Sequence, residues 1–356
     1  MNKEIDWKKV RRVLLIRLRS IGDTVLATPS LIALKRFVPD AQIDILLEDW
    51  VAPVLDGLDA VDNVLTVGKS GKSRFRTSGQ VRKNKYDVVV NLHGGTTGTF
   101  FTFASGAAHR VGYANYQYGF LYNHLLSSSA DFWGRAATHS AEQQLALLGS
   151  VGVPVDNSQK SRLAVTDVAL HSLEQKFYSS TPTTFSEMGP FALIHPTAAF
   201  QTKQWAVENF ARAAEFIAAK GYRAVAVAEA GESEVLEKLK SQSRASVFTF
   251  DDLELPEITA LASRASLFVG NDSGIAHIAA AVGTPTVVVF GSSNFDHWRP
   301  WTDAPSAIVR HELPCQPCPG YRCSVFGEPK CILSVSVDQV TAAIETVLAD
   351  AKNGGT

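Results

Sequence analysis

The sequence predicts an α/β protein of two doubly wound domains with a cleft between them. Short apolar runs alternate with helix-like stretches along the whole chain, the pattern of βαβ units and parallel sheets. The run Val13–Ile16 is continuously apolar, which is how a strand covered on both faces reads. The series stops and restarts across Ser179–Thr184, and 356 residues at about 150 per domain suggest two domains.

In the first half, the strand Val13–Ile16 leads into a helical stretch from Asp23 to Phe37, closed by Val38-Pro39-Asp40. Pro29 lies inside it, so either Thr28 caps a new helix with Pro29 at its first position or the helix kinks there. Strands follow at Ile43–Leu47, Val64–Val67 and Tyr86–Leu92, with a short helix near Val51–Leu55. Lys69–Lys85 holds seven Lys/Arg, three Ser, two Gly and no acid, and reads as a mobile basic surface loop. In the second half, strands are expected at Phe191–His195, Ala224–Ala228, Val247–Phe250, Leu267–Gly270 and Thr286–Phe290. Helices are expected at Ala206–Lys220, ended by Gly221, and at Ser233–Ser241 and Ile275–Val282. A last helix runs from Ser336 to Ala351: Ser336 and Gln339 match a capping box, and Val337, Val340, Ile344, Val347 and Leu348 form one apolar stripe. Gly354-Gly355 suggests a frayed tail.

Composition narrows the function. Apolar residues make up 46% and charged residues 19%, a folded chain with ample core. With 34 Lys+Arg against 35 Asp+Glu, no global basic field exists to hold nucleic acid, although a local patch stays open. The N-terminal MNKEIDWKKVRR lacks the apolar centre of a secretory signal. No run of about 18 apolar residues points to a membrane span, which leaves surface attachment open. All four cysteines fall between Cys315 and Cys331, unlike a disulfide-stapled secreted fold. The chain reads as cytoplasmic.

Ligands of open α/β sheets bind beyond the carboxyl ends of strands, and three loops there carry unusual chemistry. The first is Arg17-Leu18-Arg19-Ser20-Ile21-Gly22-Asp23. Gly22 permits close approach of a ligand. Asp23 fits either a helix cap or a general base within reach of a hydroxyl, held near Arg17 and Arg19. The second is Gly270-Asn271-Asp272-Ser273-Gly274-Ile275-Ala276-His277. Its amides at a helix start and the Ser273 hydroxyl suit a diphosphate. Asp272 would repel phosphate, so it suits the turn backbone or a sugar hydroxyl; an ordinary Asx-capped turn is the plainer alternative. The third runs from His195 to Trp205, where Lys203 is either a solvated cation or a charge that steadies a leaving diphosphate. Glu229 and Glu232, after the next strand, either bind ribose or adenine or face water.

Cys315, Cys318, Cys323 and Cys331 are separated by two, four and seven residues. That density fits a structural four-thiolate zinc or iron site, with reduced thiols or two disulfides as alternatives.

Taken together, these segments resemble the glycosyltransferase family 9 heptosyltransferases of lipopolysaccharide core assembly. The likeness runs through RRVLLIRLRSIGDTVLATPSLIALKRFVPDAQIDIL, DVVVNLHGG with HRVGY (His109–Tyr113), His139 with EQQLALLGSVGV, GNDSGIAHIAAAVGTPTVVVFGSS, and Trp298-Arg299-Pro300-Trp301. It implies a GT-B fold in which residues 1–180 bind a lipid-linked lipopolysaccharide core acceptor and 185–335 bind ADP-heptose. The helix and tail at 336–356 would cross back onto the first domain. It implies an inverting transfer with Asp23 as base and Lys203 beside the diphosphate. Thr197, Lys203, Glu232, Asp272, Ser273, Gly274 and His277 would face the donor, and Arg17, Arg19, Ser20, Gly22, His93 and Arg110 the acceptor. The turn Ala228-Glu229-Ala230-Gly231-Glu232 departs from the Gly-Gly-Pro-Gly-Glu type of many relatives, so the ribose contact stays open. No Asp-x-Asp dyad stands beside the donor loop, which suits catalysis without a metal or other cofactor. The basic Lys69–Lys85 segment, together with Arg110, would meet acceptor phosphates or acidic headgroups at the inner membrane surface, or simply water; no nucleic-acid partner is implied. Two other readings stay open: a same-fold transferase with another nucleotide sugar or a protein acceptor, and a non-catalytic sugar-nucleotide binder.

Overall fold

The computed structural model describes residues 4–180, 185–318 and 320–353. Thr181–Thr184, in the stretch read as the separator, and the Gly354-Gly355 tail lie outside the described residues. The chain forms two compact units that divide between Ala164 and Val165.

The first unit contains β1 (Arg12–Leu18), α1 (Ile21–Val25), α2 (Thr28–Phe37), β2 (Gln42–Glu48), β3 (Asn63–Val67), α3 (Gly71–Lys83), β4 (Val88–Asn91), α4 (Gly95–Ala104), β5 (His109–Tyr113), β6 (His124–Leu126), α5 (Ser129–Trp133) and α6 (Ser140–Gly149). Its six strands lie in the order β3-β2-β1-β4-β5-β6, every pairing parallel. The strand β1, with the apolar run Val13–Ile16 at its centre, is buried from Val13 onward. Leu14, Ile16, Leu46, Val89 and Phe101 share one core cluster. Pro29 resolves the choice at the first helix: α1 ends at Val25 and α2 starts at Thr28, with Pro29 in its first turn, where its missing N–H costs nothing.

The expected basic loop is instead the helix α3. The Ser70 hydroxyl caps it by accepting from Ser73 N–H at 3.1 Å. Thr77 and Val81, one turn apart, supply its buried side. Charge density hid this helix because only two of its positions are buried.

The second unit contains α7 (Asp167–Ser180), α8 (Phe185–Met188), β7 (Phe191–His195), α9 (Val207–Ala219), β8 (Arg223–Val227), α10 (Ser233–Gln242), β9 (Val247–Phe250), α11 (Leu255–Arg264), β10 (Leu267–Asn271), α12 (Gly274–Ala281), β11 (Thr286–Phe290), α13 (Phe295–Trp298), β12 (Ser306–Arg310), α14 (Lys330–Leu333) and α15 (Val337–Asn353). Its sheet runs β12-β11-β10-β7-β8-β9, again all parallel. Counted from the first strand of each unit, both sheets have the same winding.

Two expected boundaries move. α7 belongs to the second unit, because Phe177 stacks on Phe250 at 5.8 Å and Lys176 pairs with Glu257 at 2.9 Å. The closing helix α15 also belongs there, not to the first domain. Val340, Ile344 and Val347, the stripe read from sequence, are buried in the core cluster with Trp205, Phe210 and Val289. Trp205 Nε1–H donates to Val335 O at 2.8 Å, and Ser336 with Gln339 forms the expected capping box.

Candidate active site

In a doubly wound sheet the crevice opens where two neighbouring strands send their chains to opposite faces. That point lies between β1 and β4 in the first unit and between β7 and β10 in the second. Most residues singled out from sequence fall at these two places.

At the first, Arg17 is buried in β1 and its Nη1 donates to Leu92 O, just past β4, at 3.0 Å. Its Nη2 forms an ion pair with Asp23 Oδ1. Asp23 Oδ2 accepts from Ser20 N–H at 3.1 Å and Ser20 O–H at 2.9 Å, closing the capping box of α1. The cap is therefore real. Burial pushes the Asp23 carboxyl up, but the Arg17 guanidinium and the Ser20 donors outweigh it and hold the group below its usual value. Gly22 is buried behind it, while Ser20 and Arg19 stand exposed, with Arg19 Nε 3.9 Å from Glu48 Oε1.

His93 follows β4. Its N–H donates to Asn91 Oδ1 at 3.0 Å, and its buried Nδ1 has no hydrogen-bond partner among the described residues. Burial, then the charge of Arg17, hold the imidazole below its usual pKa against the pull of Asp23. His93 is thus a neutral ring beside an ionised carboxylate. Gly94, at φ 68, lets the chain turn there under Tyr116, whose ring would lie 2.9 Å from a Cβ. Arg110 is not part of this group. It pairs in register with Val89 inside the sheet, and its guanidinium donates to Leu121 O and Ala107 O, both at 2.6 Å.

At the second switch point, Ser273 stands at the N-cap position of α12 after β10, without a side-chain capping bond. Its Oγ lies 3.1 Å from Nδ1 of His195, at the end of β7, while Thr197 Oγ1 lies 3.3 Å from Nε2 of the same ring. Burial lowers the His195 pKa to about 4, so the ring is neutral at pH 7, with one nitrogen donating and the other accepting. One hydroxyl therefore receives the ring N–H and keeps its own proton for another acceptor.

Lys203 ends a 3-10 turn at Gln201–Lys203. Its Nζ sits 2.7 Å from Asp272 Oδ2, the atom that also accepts Ser293 O–H at 2.5 Å. Asp272 thus serves a lysine and a serine, not its own turn. Gly291 lets this turn approach β11: a Cβ there would lie 2.1 Å from Thr202 O. Asn271 joins the strands, donating to Pro196 O at 2.9 Å and accepting from Trp205 N–H at 3.0 Å. Gly274 opens α12 and His277 is buried in its first turn. Glu232 stands after β8, one strand from β7, where its Oε2 accepts from Glu229 N–H at 3.4 Å. The sequence carries no local signal for the contacts of His195, Asn271 and Ser293, which all form between separate strand ends.

The four cysteines line one cavity of about 10 Å³ next to Thr202 and Ser292, roughly room for one water-sized particle. Cys331 is buried, which raises its thiol above the usual pKa. Among the described residues, however, no group of three or more His, Cys, Asp or Glu is arranged to hold a metal ion. The thiols are gathered but, as placed, do not form the expected ligand set. A cavity of about 780 Å³ lined by Trp7, Arg11 and Phe37 lies at the amino ends of β1 and β2, away from Asp23.

Two doubly wound sheets with an ion pair at each switch point define a two-domain α/β scaffold of the Rossmann kind. The family model for glycosyltransferase family 9 (heptosyltransferase) matches residues 74–327, and the chain belongs to that family. It is 25% identical over 219 residues to lipooligosaccharide heptosyltransferase 2 of Haemophilus ducreyi, covering 59% of this chain but only 61% of that relative. Its fold is similar to that of a family 9 glycosyl transferase from Veillonella parvula DSM 2008, with TM-score 0.80, 20% identity and coverage of 98% of this chain and 99% of that one. It is also similar to that of E. coli ADP-heptose lps heptosyltransferase II, with TM-score 0.78, 19% identity and coverage of 96% and 99%. No helix among the described residues is long and apolar enough to cross a membrane.

Asp23 titrates below 3.8 in the folded protein, so its stabilisation is present above that pH and is lost as the pH falls through the folded value. Asp23→Asn leaves Arg17 buried without its counter-charge and should cost about 3 kcal/mol at pH 7. In urea unfolding at a series of pH values, the gap to the unsubstituted protein should narrow below pH 3.8. A gap independent of pH contradicts the ion pair.

Proposed function

We propose that the protein is an inverting heptosyltransferase, moving a heptose from ADP-L-glycero-D-manno-heptose to a sugar hydroxyl of the lipopolysaccharide inner core. The observation that carries this reading is the loop from β10 into α12. There Ser273, held by neutral His195, and Lys203, held by Asp272, flank helix amides suited to a diphosphate. The family to which the chain belongs supports the same reading.

In the proposed reaction, Asp23 takes the proton of the acceptor hydroxyl as that oxygen attacks the anomeric carbon. The bond to ADP breaks on the opposite face, and negative charge grows on the departing diphosphate. Lys203, the Ser273 hydroxyl and the α12 amides steady that charge. His93, neutral and with a buried nitrogen that lacks a partner among the described residues, would bind an acceptor hydroxyl. Arg17 keeps Asp23 ionised at neutral pH, at the cost of a weaker base. Arg19, Ser20 and Gly22 complete the acceptor side; Thr197, Glu232, Gly274 and His277 complete the donor side. The acceptor is lipid-linked, which brings a cytoplasmic protein to the inner membrane surface.

No step passes through the cysteine loop. Its finer reading, one structural zinc or iron on four thiolates, has the shared cavity as support and requires the thiols to close in on an ion. Metal analysis of fresh protein should then find about one zinc or iron per chain, lost in Cys315→Ser; a metal-free protein removes the reading.

Asp23→Ala should lower transfer at least about 100-fold while ADP-heptose binding, measured by calorimetry, stays within about twofold. Unchanged turnover overturns the base. In a thermal-shift screen ADP-heptose should stabilise more than UDP- or GDP-sugars, and preference for a UDP-sugar transfers the reading to another donor.

A further inference from the structure

The seven Lys/Arg between Lys69 and Lys85 are carried by α3 and its flanks, and none of them forms an ion pair among the described residues. Only one acid, Asp87, occurs in residues 63–130. It accepts from the backbone N–H groups of Arg11 and Arg12 at 2.8 and 3.0 Å, so it does not answer the charge on α3. Set among these cations are bare aromatic rings. Phe75 of α3 is 80% exposed, and Phe120, after β5, is 82% exposed. Phe100 and Phe103 stand exposed one turn apart on α4, and Tyr118 meets Phe120 edge-on at 6.4 Å.

These segments make one face. Arg82 of α3 lies against Gly106 at the end of α4, where a Cβ would sit 1.6 Å from its Nη1. Val81 and Phe101 share a core cluster beneath the two helices. Thr99 of α4 donates to Gln117 O at 3.3 Å, tying the turn after β5 to α4. A monomeric soluble protein has no use for clustered rings within an unneutralised basic field. Aromatic rings and Lys/Arg do share one environment, the headgroup layer of a bilayer with acidic lipids.

Position decides for that partner. In a parallel sheet, the connections after β1, β3, β4 and β5 all leave at the same edge. That edge carries Asp23 and His93, the start of α3 with Phe75, the start of α4, and Tyr118 with Phe120. Resting on the reading above that the acceptor is lipid-linked, we propose that the face formed by α3, α4 and residues 114–121 docks on an anionic bilayer surface. The rings enter the headgroup layer, the cations lie over acidic lipids, and the acceptor edge of the first sheet is brought to the lipid.

Sedimentation of the full chain with phosphatidylcholine vesicles, with and without phosphatidylglycerol, tests this. Binding should require phosphatidylglycerol and weaken as salt rises. At about tenfold per 1.4 kcal/mol, and about 1 kcal/mol for each cation at the surface, Lys72→Glu/Arg74→Glu/Arg76→Glu should lower binding at least about tenfold. Phe75→Ser/Phe120→Ser should lower it several-fold, whereas Lys238→Glu/Lys240→Glu on the second unit should not. Circular dichroism melts identify any variant that has lost its fold, and the two first-unit variants check each other. Equal binding to both vesicle types, full binding by both first-unit variants, or tighter binding of a short RNA to the same face overturns the proposal. Vesicle binding needs no turnover. Loss of docking with transfer to a soluble acceptor intact sinks the docking alone, and docking without transfer sinks the transferase reading alone.

Discussion

Beyond each sheet, at its switch point, stands a carboxylate that is largely out of water and is paired with a cation: Asp23 with Arg17 in the first unit, Asp272 with Lys203 in the second. Removing one partner of such a pair typically costs about 3–5 kcal/mol, because the charge left behind has lost both water and its counter-ion. The pairs therefore constrain everything around them. Asp23 fixes the start of α1 through Ser20, and Asp272 fixes Lys203 and Ser293 in one place. In the proposed reaction chemistry and stability would meet in the same side chains, so a substitution here reports on both unless binding and folding are measured beside turnover.

The surroundings of the second pair are braced from a distance. Thr202, next to Lys203, donates to Gly320 O at 2.9 Å, and Cys318 N–H donates to Ser292 O at 3.0 Å. The cysteine loop thus holds the lysine turn against the end of β11, a structural task that needs no reaction at sulfur. His195 acts in a similar way on Ser273. Burial keeps its ring uncharged, so it orders two hydroxyls without adding a positive charge of its own.

Much of this was legible in the sequence. The buried parallel strands announce themselves as apolar runs, and Arg17–Asp23 and Asp272–Gly274 follow two of them directly, so the topology puts them at the switch points. Other features have no local signature. The contact of Ser273 with His195 spans 78 residues, and Ser293 reaches Asp272 from the end of another strand. Arg110 is expected on the acceptor side because the sequence shows neither its place within β5 nor the carbonyls it serves. The helix α3 looked like a loop because its exposed faces carry the charge and only Thr77 and Val81 mark the buried one. The stripe on α15 was visible, but a stripe does not say which core it joins.

Calorimetric titration of ADP into the full chain and into Lys203→Met tests most directly whether the second switch point is a diphosphate site. The account predicts that affinity falls at least about tenfold, more than 1.4 kcal/mol, since Asp272 is left as an uncompensated negative charge facing the ligand. Lys203→Arg should restore much of it. Equal affinity of ADP for the Lys203→Met variant and the unsubstituted protein would reduce the lysine to a partner of Asp272 and contradict the account.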